Sequence, residues 1–153
     1  PNRISGEWGH NCMPTSVRDL IRSDRKCHCG RINCIETVLS GRGFKQTFTE
    51  LSGIKMEPEE ITKQAELNNT DAKNCIDIYV RQLACCLSTV INTLDPDAIV
   101  LGGGLSNIKP IYQIIHNHLP DQVFNDTVQT KVVAASFGDA SGARGAACLW
   151  PKT

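Results

Sequence analysis

Six residues near one end of the chain carry the side chains best suited to chemistry: Glu7, His10, Cys27, Cys29, Cys34 and Glu36. Zinc is held in structural sites by four nitrogen or sulfur ligands in a tetrahedron, and three thiolates with one imidazole form such a set. Cys27-His28-Cys29 lets two ligands reach an ion from one turn, Gly30 relaxes the backbone, and Cys34 can return to the same ion. The expectation is one Zn²⁺ bound by His10, Cys27, Cys29 and Cys34 within segment 7–36. His28 is the other imidazole in reach, but it is flanked by two ligand cysteines and is geometrically awkward. With four protein ligands the ion is structural. Glu7 and Glu36 lie within three residues of a ligand, so the metal also restricts them. Carboxylates accept hydrogen bonds from sugar hydroxyls and serve in pairs as acids or bases. Without the metal both would read as solvated surface glutamates.

A second pattern is Gly102-Gly103-Gly104, which follows the short apolar run Ala98-Ile99-Val100-Leu101. Strand, glycine turn and helix together let backbone N–H groups approach a phosphate or nucleotide. Neither Gly-x-Gly-x-x-Gly nor a P-loop is present, so a plain tight turn is the alternative. Gly138-Asp139-Ala140-Ser141-Gly142 reads as a packing motif, with Asp139 as the cap of a closely packed last helix.

These residues need a scaffold. At 153 residues, with 41% hydrophobic and 21% charged side chains, the chain fits one domain (1–153) with a real core. Sixteen basic residues balance sixteen acidic ones, so no net field draws it to nucleic acid or an anionic membrane. No run approaches the roughly 20 apolar residues of a membrane span, and no secretory pattern opens the chain. A cytoplasmic protein is expected, with no nucleic-acid or membrane partner. Beginning at Pro1, the sequence reads as a fragment. Of eight cysteines, Cys75, Cys85, Cys86 and Cys148 read as small buried hydrophobes, and Cys12 is left open.

Residues 17–22 suit a turn or two of helix. Ile35, Val38 and Leu39 share a helical face, Ser40-Gly41 interrupts it, and Phe44, Phe48 and Leu51 continue until Gly53. Pro58 starts a short helix to about Leu67. Thr70 is the expected N-cap of the longest helix, whose apolar positions run from Ala72 to Leu94 at helical spacing before Asp95-Pro96. Residues 98–101 suit a strand buried on both faces, and residues 131–135 a second strand. Ile111, Ile114, Ile115 and Leu119 mark a further helix, and residues 140–149 the last one. The class is α/β, with helices outweighing strands.

Glu7-Trp8-Gly9-His10 resembles the E-x-G-H motif of the ROK family of sugar kinases and sugar-responsive repressors. Cys27-x-Cys29-Gly30-x-x-x-Cys34-x-Glu36 resembles that family's C-x-C-G-x-x-G-C-x-E signature, with Asn33 where the last glycine stands. Asn tolerates left-handed backbone geometry, so the knuckle survives the exchange. The glycine turn and residues 138–147 also resemble the family's C-terminal half. Residues 2–11 and 149–151 are most similar to the family's bacterial fructokinases and more distantly to its N-acetylglucosamine kinases.

The resemblance implies the C-terminal portion of an actin-like, ribonuclease-H-like sugar kinase fold. It implies that Glu7, His10 and Glu36 contact hexose hydroxyls, fructose being favoured, and that Gly102, Gly103 and Gly104 lie along ATP. The reaction implied is transfer of the γ-phosphoryl group to a hexose hydroxyl with Mg²⁺, by a full-length protein that is commonly a homodimer. The family's D-x-G-x-T phosphate motif and catalytic aspartate do not occur in these residues, so no catalytic residue is assigned and the fragment alone is expected to be inactive. N-acetylglucosamine kinase, glucokinase and the sugar-sensing domain of a ROK repressor are the alternatives. A zinc-stabilised interaction module without a ligand is a third class.

Overall fold

The computed structural model describes residues 6–125 and 127–149, so the resemblances at 2–5 and 150–151 lie outside the described residues. A 3₁₀ turn, Trp8–His10, leads to the short helix α1, Thr15–Arg18, and then to the cysteine loop. The helix expected over 17–22 thus starts earlier and stops sooner, because Pro14 precedes it and the chain turns away after Asp19. Helix α2, Glu36–Leu39, and helix α3, Gly41–Ser52, are separated where read, at Ser40. Ser40 caps α3 by accepting from the Gly43 N–H at 3.2 Å, and Gly53 ends it at φ +75°. Helix α4 is Pro58–Glu66, with proline in its first turn.

Helix α5, Thr70–Leu94, is the 25-residue axle of the fold. Its cap is Asn69, not Thr70: the Asn69 side chain accepts from the Ala72 N–H at 2.9 Å. Thr70 is already helical. Asp95 closes the helix in the left-handed region. Strand β1, Ala98–Leu101, a second 3₁₀ turn, Gly104–Asn107, helix α6, Pro110–His118, and strand β2, Lys131–Ala134, form a parallel crossover unit. Ala98 pairs with Lys131 and Leu101 with Ala134. Helix α7, Ser141–Cys148, is last.

The main core gathers around α5: Phe44 and Phe48 from α3, Ile61 from α4, Ile111 and Ile115 from α6, and Val132 from β2. A second cluster of Met13, Val17, Ile35, Val38, Cys85 and Cys86 lies under the cysteine loop. Trp8 and Leu39 pack against both clusters. Trp8 is half-buried, and the apolar area it removes from water, worth roughly 25 cal/mol per Å², anchors the turn that carries His10.

Three expectations about burial fail. Strand β1 is not buried on both faces, since Ala98 is exposed and Val100 is 61% exposed. A continuously apolar run suits full burial, yet only alternate residues of this strand are covered. Helix α7 buries none of its residues, and Cys148 is exposed rather than a packed hydrophobe. Asp139 does not cap α7, whose cap position is Ala140. Its carboxylate instead accepts from Asn107 Nδ2 at 3.1 Å.

Candidate functional site

The His10 turn and the cysteine loop are drawn together by backbone pairing. Met13 N–H donates to Asn33 O and Ile35 N–H to Asn11 O, both at 2.9 Å, so residues 11–13 run antiparallel to 33–35. Within the loop Lys26 pairs with Ile32, and Cys27 N–H donates to Arg31 O at 2.8 Å. Gly30 takes φ +86° and Asn33 φ +57°. Asn33 does more than tolerate that geometry. Its Oδ1 accepts from the Arg25 N–H at 2.8 Å, and its Nδ2 donates to Asp24 Oδ1 at 2.8 Å. The Asn33 amide and then the Arg18 charge hold the Asp24 carboxyl below its usual range.

One donor atom from each of His10, Cys27, Cys29 and Cys34 falls in a group whose members all lie within 4.8 Å of one another. Cys27 Sγ is 3.5 Å from His10 Nδ1, and Cys29 Sγ is 3.6 Å from Cys34 Sγ. A tetrahedral zinc ion with its usual bond lengths separates N and S by about 3.5 Å and two S atoms by about 3.8 Å. Donor type and spacing therefore fit that ion. The arrangement is also electrostatically primed: hydrogen bonds from the Arg31 backbone and side chain bring the Cys29 thiol down to about 6. Burial pushes Cys34 up to about 12, a cost that a bound cation would reverse.

The two glutamates flank His10. Glu7 Oε2 is 3.8 Å from His10 Nε2, and Glu36 Oε2 is 3.4 Å from His10 Nδ1. A Cβ on Gly9 would lie 3.5 Å from Glu36 Cβ, so the glycine lets the turn approach α2 closely. Glu36 stands nearer the sulfur cluster than its neighbourhood in sequence suggested: Oε2 is 3.8 Å from Cys27 Sγ and 3.4 Å from His28 Nδ1. His10, His28 and Glu36 make a second compact donor group. His28 stacks edge-on against His10 with ring centroids 4.8 Å apart, on the exposed rim.

Gly102, Gly103 and Gly104 line a cavity of about 320 Å³ together with Leu39, Ser40, Gly41, Tyr79 and Ile111. Gly103 takes φ +79° and its N–H donates to Asp139 O at 2.9 Å, so residues 138–139 brace the glycine turn. Tyr79 was not singled out for this site, and the Ser40-Gly41 break was legible only as an interruption between two helices. Helix α2 joins the two places: Glu36 opens it at the sulfur cluster, and Leu39 ends it in the wall of the cavity. At 1.5 Å rise per residue the two positions are about 5 Å apart along the axis.

Arg25 was also missed. Its side chain is 1% exposed, and its guanidinium donates to Thr37 O, Gly43 O, Thr47 Oγ1 and Glu50 Oε2. It ties the cysteine loop to α2 and α3. Among the described residues no helix is long and apolar enough to cross a membrane.

Comparison with known proteins identifies the family and the fold. The chain is 37% identical over 151 residues to an N-acetyl-D-glucosamine kinase of Pectobacterium carotovorum, covering 97% of this chain and 50% of the relative. Its fold matches a ROK family glucokinase from Streptomyces griseus, solved with glucose and AMPPNP, with a TM-score of 0.82 at 21% identity over 95% of this chain and 51% of that one. A ROK family transcriptional regulator matches with a TM-score of 0.65 at 24% identity, over 83% of this chain and 33% of that one. The chain spans about half the length of the curated relatives it matches. Those relatives are N-acetyl-D-glucosamine kinases, not the fructokinases to which the motif resemblance leaned. The profile of the ROK family aligns with residues 2–153, across both the cysteine loop and the glycine turn, and the chain belongs to the ROK family.

Proposed function

We propose that this chain supplies sugar recognition, a structural zinc site and part of the ATP site of an ATP-dependent hexose kinase. The observation that carries the reading is the short helix α2, which links the carboxylate beside His10 to the glycine-lined cavity. Phosphoryl transfer needs a sugar hydroxyl and a nucleotide terminus held side by side, and catalysis is largely positioning and charge stabilisation. Glu7, His10 and Glu36 receive the hexose, and Gly102, Gly103 and Gly104 receive ATP with Mg²⁺. The base that takes the hydroxyl proton belongs to the rest of the protein.

Zinc supplies rigidity here rather than reactivity. His10 Nδ1 faces the thiols and Nε2 faces Glu7, so a metal on Nδ1 fixes the ring and its tautomer while leaving Nε2 toward the sugar side. N-acetyl-D-glucosamine is the first substrate to test, because relatives carry that name at 35–38% identity. Fructose, favoured by the end motifs, is the second, and glucose the third. The full-length protein is expected to be a homodimer.

The test is an ATP-coupled assay of the full-length protein against N-acetylglucosamine, glucose, mannose and fructose. Turnover of one hexose supports the reading; none, with sugar binding retained, supports a sugar sensor instead. The likeness to a ROK transcriptional regulator keeps that second reading in play. A helix-turn-helix upstream of these residues would decide for it.

A further inference from the structure

Cys12 belongs to neither of the compact donor groups and is exposed, whereas Cys34 is 1% exposed. The two are nevertheless direct partners across the antiparallel pair that joins the His10 turn to the cysteine loop. The hydrogen bonds on either side, Met13 N–H to Asn33 O and Ile35 N–H to Asn11 O, make Cys12 and Cys34 the non-hydrogen-bonded pair of that ladder. Such pairs place Cα atoms about 4.5 Å apart with side chains on one face. That lies inside the range of roughly 4.4–6.8 Å that a disulfide spans.

We propose that Cys12 is a redox-modification site: hydroperoxides oxidise it, and Cys34 resolves it as a Cys12–Cys34 disulfide that removes one ligand from the metal site. The Cys12 thiolate sulfur attacks a peroxide oxygen, the O–O bond breaks, and hydroxide leaves, giving Cys12 sulfenic acid. The Cys34 thiolate then attacks the Cys12 sulfur, the S–O bond breaks, and a second hydroxide leaves as the S–S bond forms. Two thiolates lose two electrons and one hydrogen peroxide is reduced; both hydroxides are protonated to water. Cys29 is exposed as well, but in the zinc-loaded chain it is a ligand, so Cys12 is the exposed thiol near the site that is left free to meet the oxidant. The disulfide rests on the backbone register; the loss of metal rests on the zinc reading proposed above. Glu36, two residues after Cys34, would lose its anchor with the metal.

Trypsin separates the relevant thiols, because Cys12 falls in peptide 4–18, Cys27 and Cys29 in 27–31, and Cys34 in 32–42. The experiment treats the zinc-loaded chain with hydrogen peroxide and follows zinc release with a chromogenic chelator. Free thiols are then blocked with N-ethylmaleimide and the cross-linked peptides identified by mass spectrometry. The expected product joins 4–18 to 32–42, appears in step with zinc release, and is reversed by dithiothreitol. Cys12→Ser should slow zinc release by about fivefold or more, since the buried thiol must then be oxidised directly. Zinc release at the same rate in Cys12→Ser, or a cross-link joining 27–31 to 32–42 as the main product, overturns the proposal. A chain that holds no zinc but still gives the 4–18 to 32–42 cross-link refutes the metal reading and leaves the modification site standing.

Discussion

Arg25 Nη2 donates to Glu50 Oε2 at 2.8 Å across the base of the cysteine loop, with the arginine side chain 1% exposed and the glutamate 19%. The same guanidinium holds Thr37 O at 3.1 Å, one residue after Glu36. Removing one member of a buried ion pair leaves the other uncompensated and costs about 3–5 kcal/mol. Arg25→Ala should lose that much in urea denaturation, together with zinc affinity. Glu50→Gln keeps an acceptor oxygen but leaves the buried guanidinium without its counter-charge, so it too should cost about 3–5 kcal/mol. A nearly neutral Glu50→Gln would count against a charge-based role for the pair.

Gly43 makes the second bracing contact. A Cβ there would sit 2.4 Å from Thr37 O and 2.8 Å from the Val38 carbonyl carbon, backbone atoms that cannot rotate away. Gly43→Ala should therefore destabilise the chain by about 1–3 kcal/mol, the cost of overpacking. Gly142 and Gly145, within α7, have open space around the same position. Alanine there should be neutral or stabilise by up to about 1 kcal/mol through helix propensity. Thermal melts of the three variants check the contrast.

How far the sequence could be read depended on how local the cause was. Donor residues at 27, 29 and 34, the break at Ser40-Gly41, the stop at Gly53 and the periodicity of α5 are set within a few positions, and each was legible. Arg25 was not, because Ser23-Asp24-Arg25-Lys26 has the composition of a solvated loop. Its burial is decided by Gly43, Thr47 and Glu50, which lie 18 to 25 residues further on. Tyr79 was legible as core and illegible as cavity wall, since one helical face serves both. The exposure of Val100 was missed because an apolar strand carries no mark of which face its neighbours will cover.

Two interior cysteines set an alkaline limit. Burial pushes both Cys75 and Cys86 from 9.0 up to about 12. Between those values the unfolded chain loses thiol protons that the folded chain keeps, so stability is full below about pH 9 and falls as pH rises toward 12. The slope is at most about 1.4 kcal/mol per pH unit for each thiol. Tyr79 is shifted in the same direction by burial. Urea denaturation at pH 8 and pH 10.5 should show the loss, and Cys75→Ala with Cys86→Ala should flatten it. A profile with unchanged slope would mean that these thiols do not resist ionisation.

Metal and sugar can be separated by experiment at Cys34 and Glu36, although the two residues are only two positions apart. Chelation, or Cys34→Ser, should remove zinc and lower the melting temperature, because metal bound only by the folded chain adds to its stability. Glu36→Gln should leave zinc content unchanged, since three thiolates and His10 already complete a tetrahedron. Its neutral amide should weaken hexose binding by about 10- to 100-fold, the worth of a hydrogen bond to a charged group. Zinc measured by mass spectrometry and sugar affinity by calorimetry read the two effects independently. The 3.4 Å approach of Glu36 Oε2 to both His10 Nδ1 and His28 Nδ1 makes the opposite result informative as well. Loss of zinc in Glu36→Gln would move the carboxylate from the sugar to the metal, and would leave Glu7 and His10 alone on the sugar side.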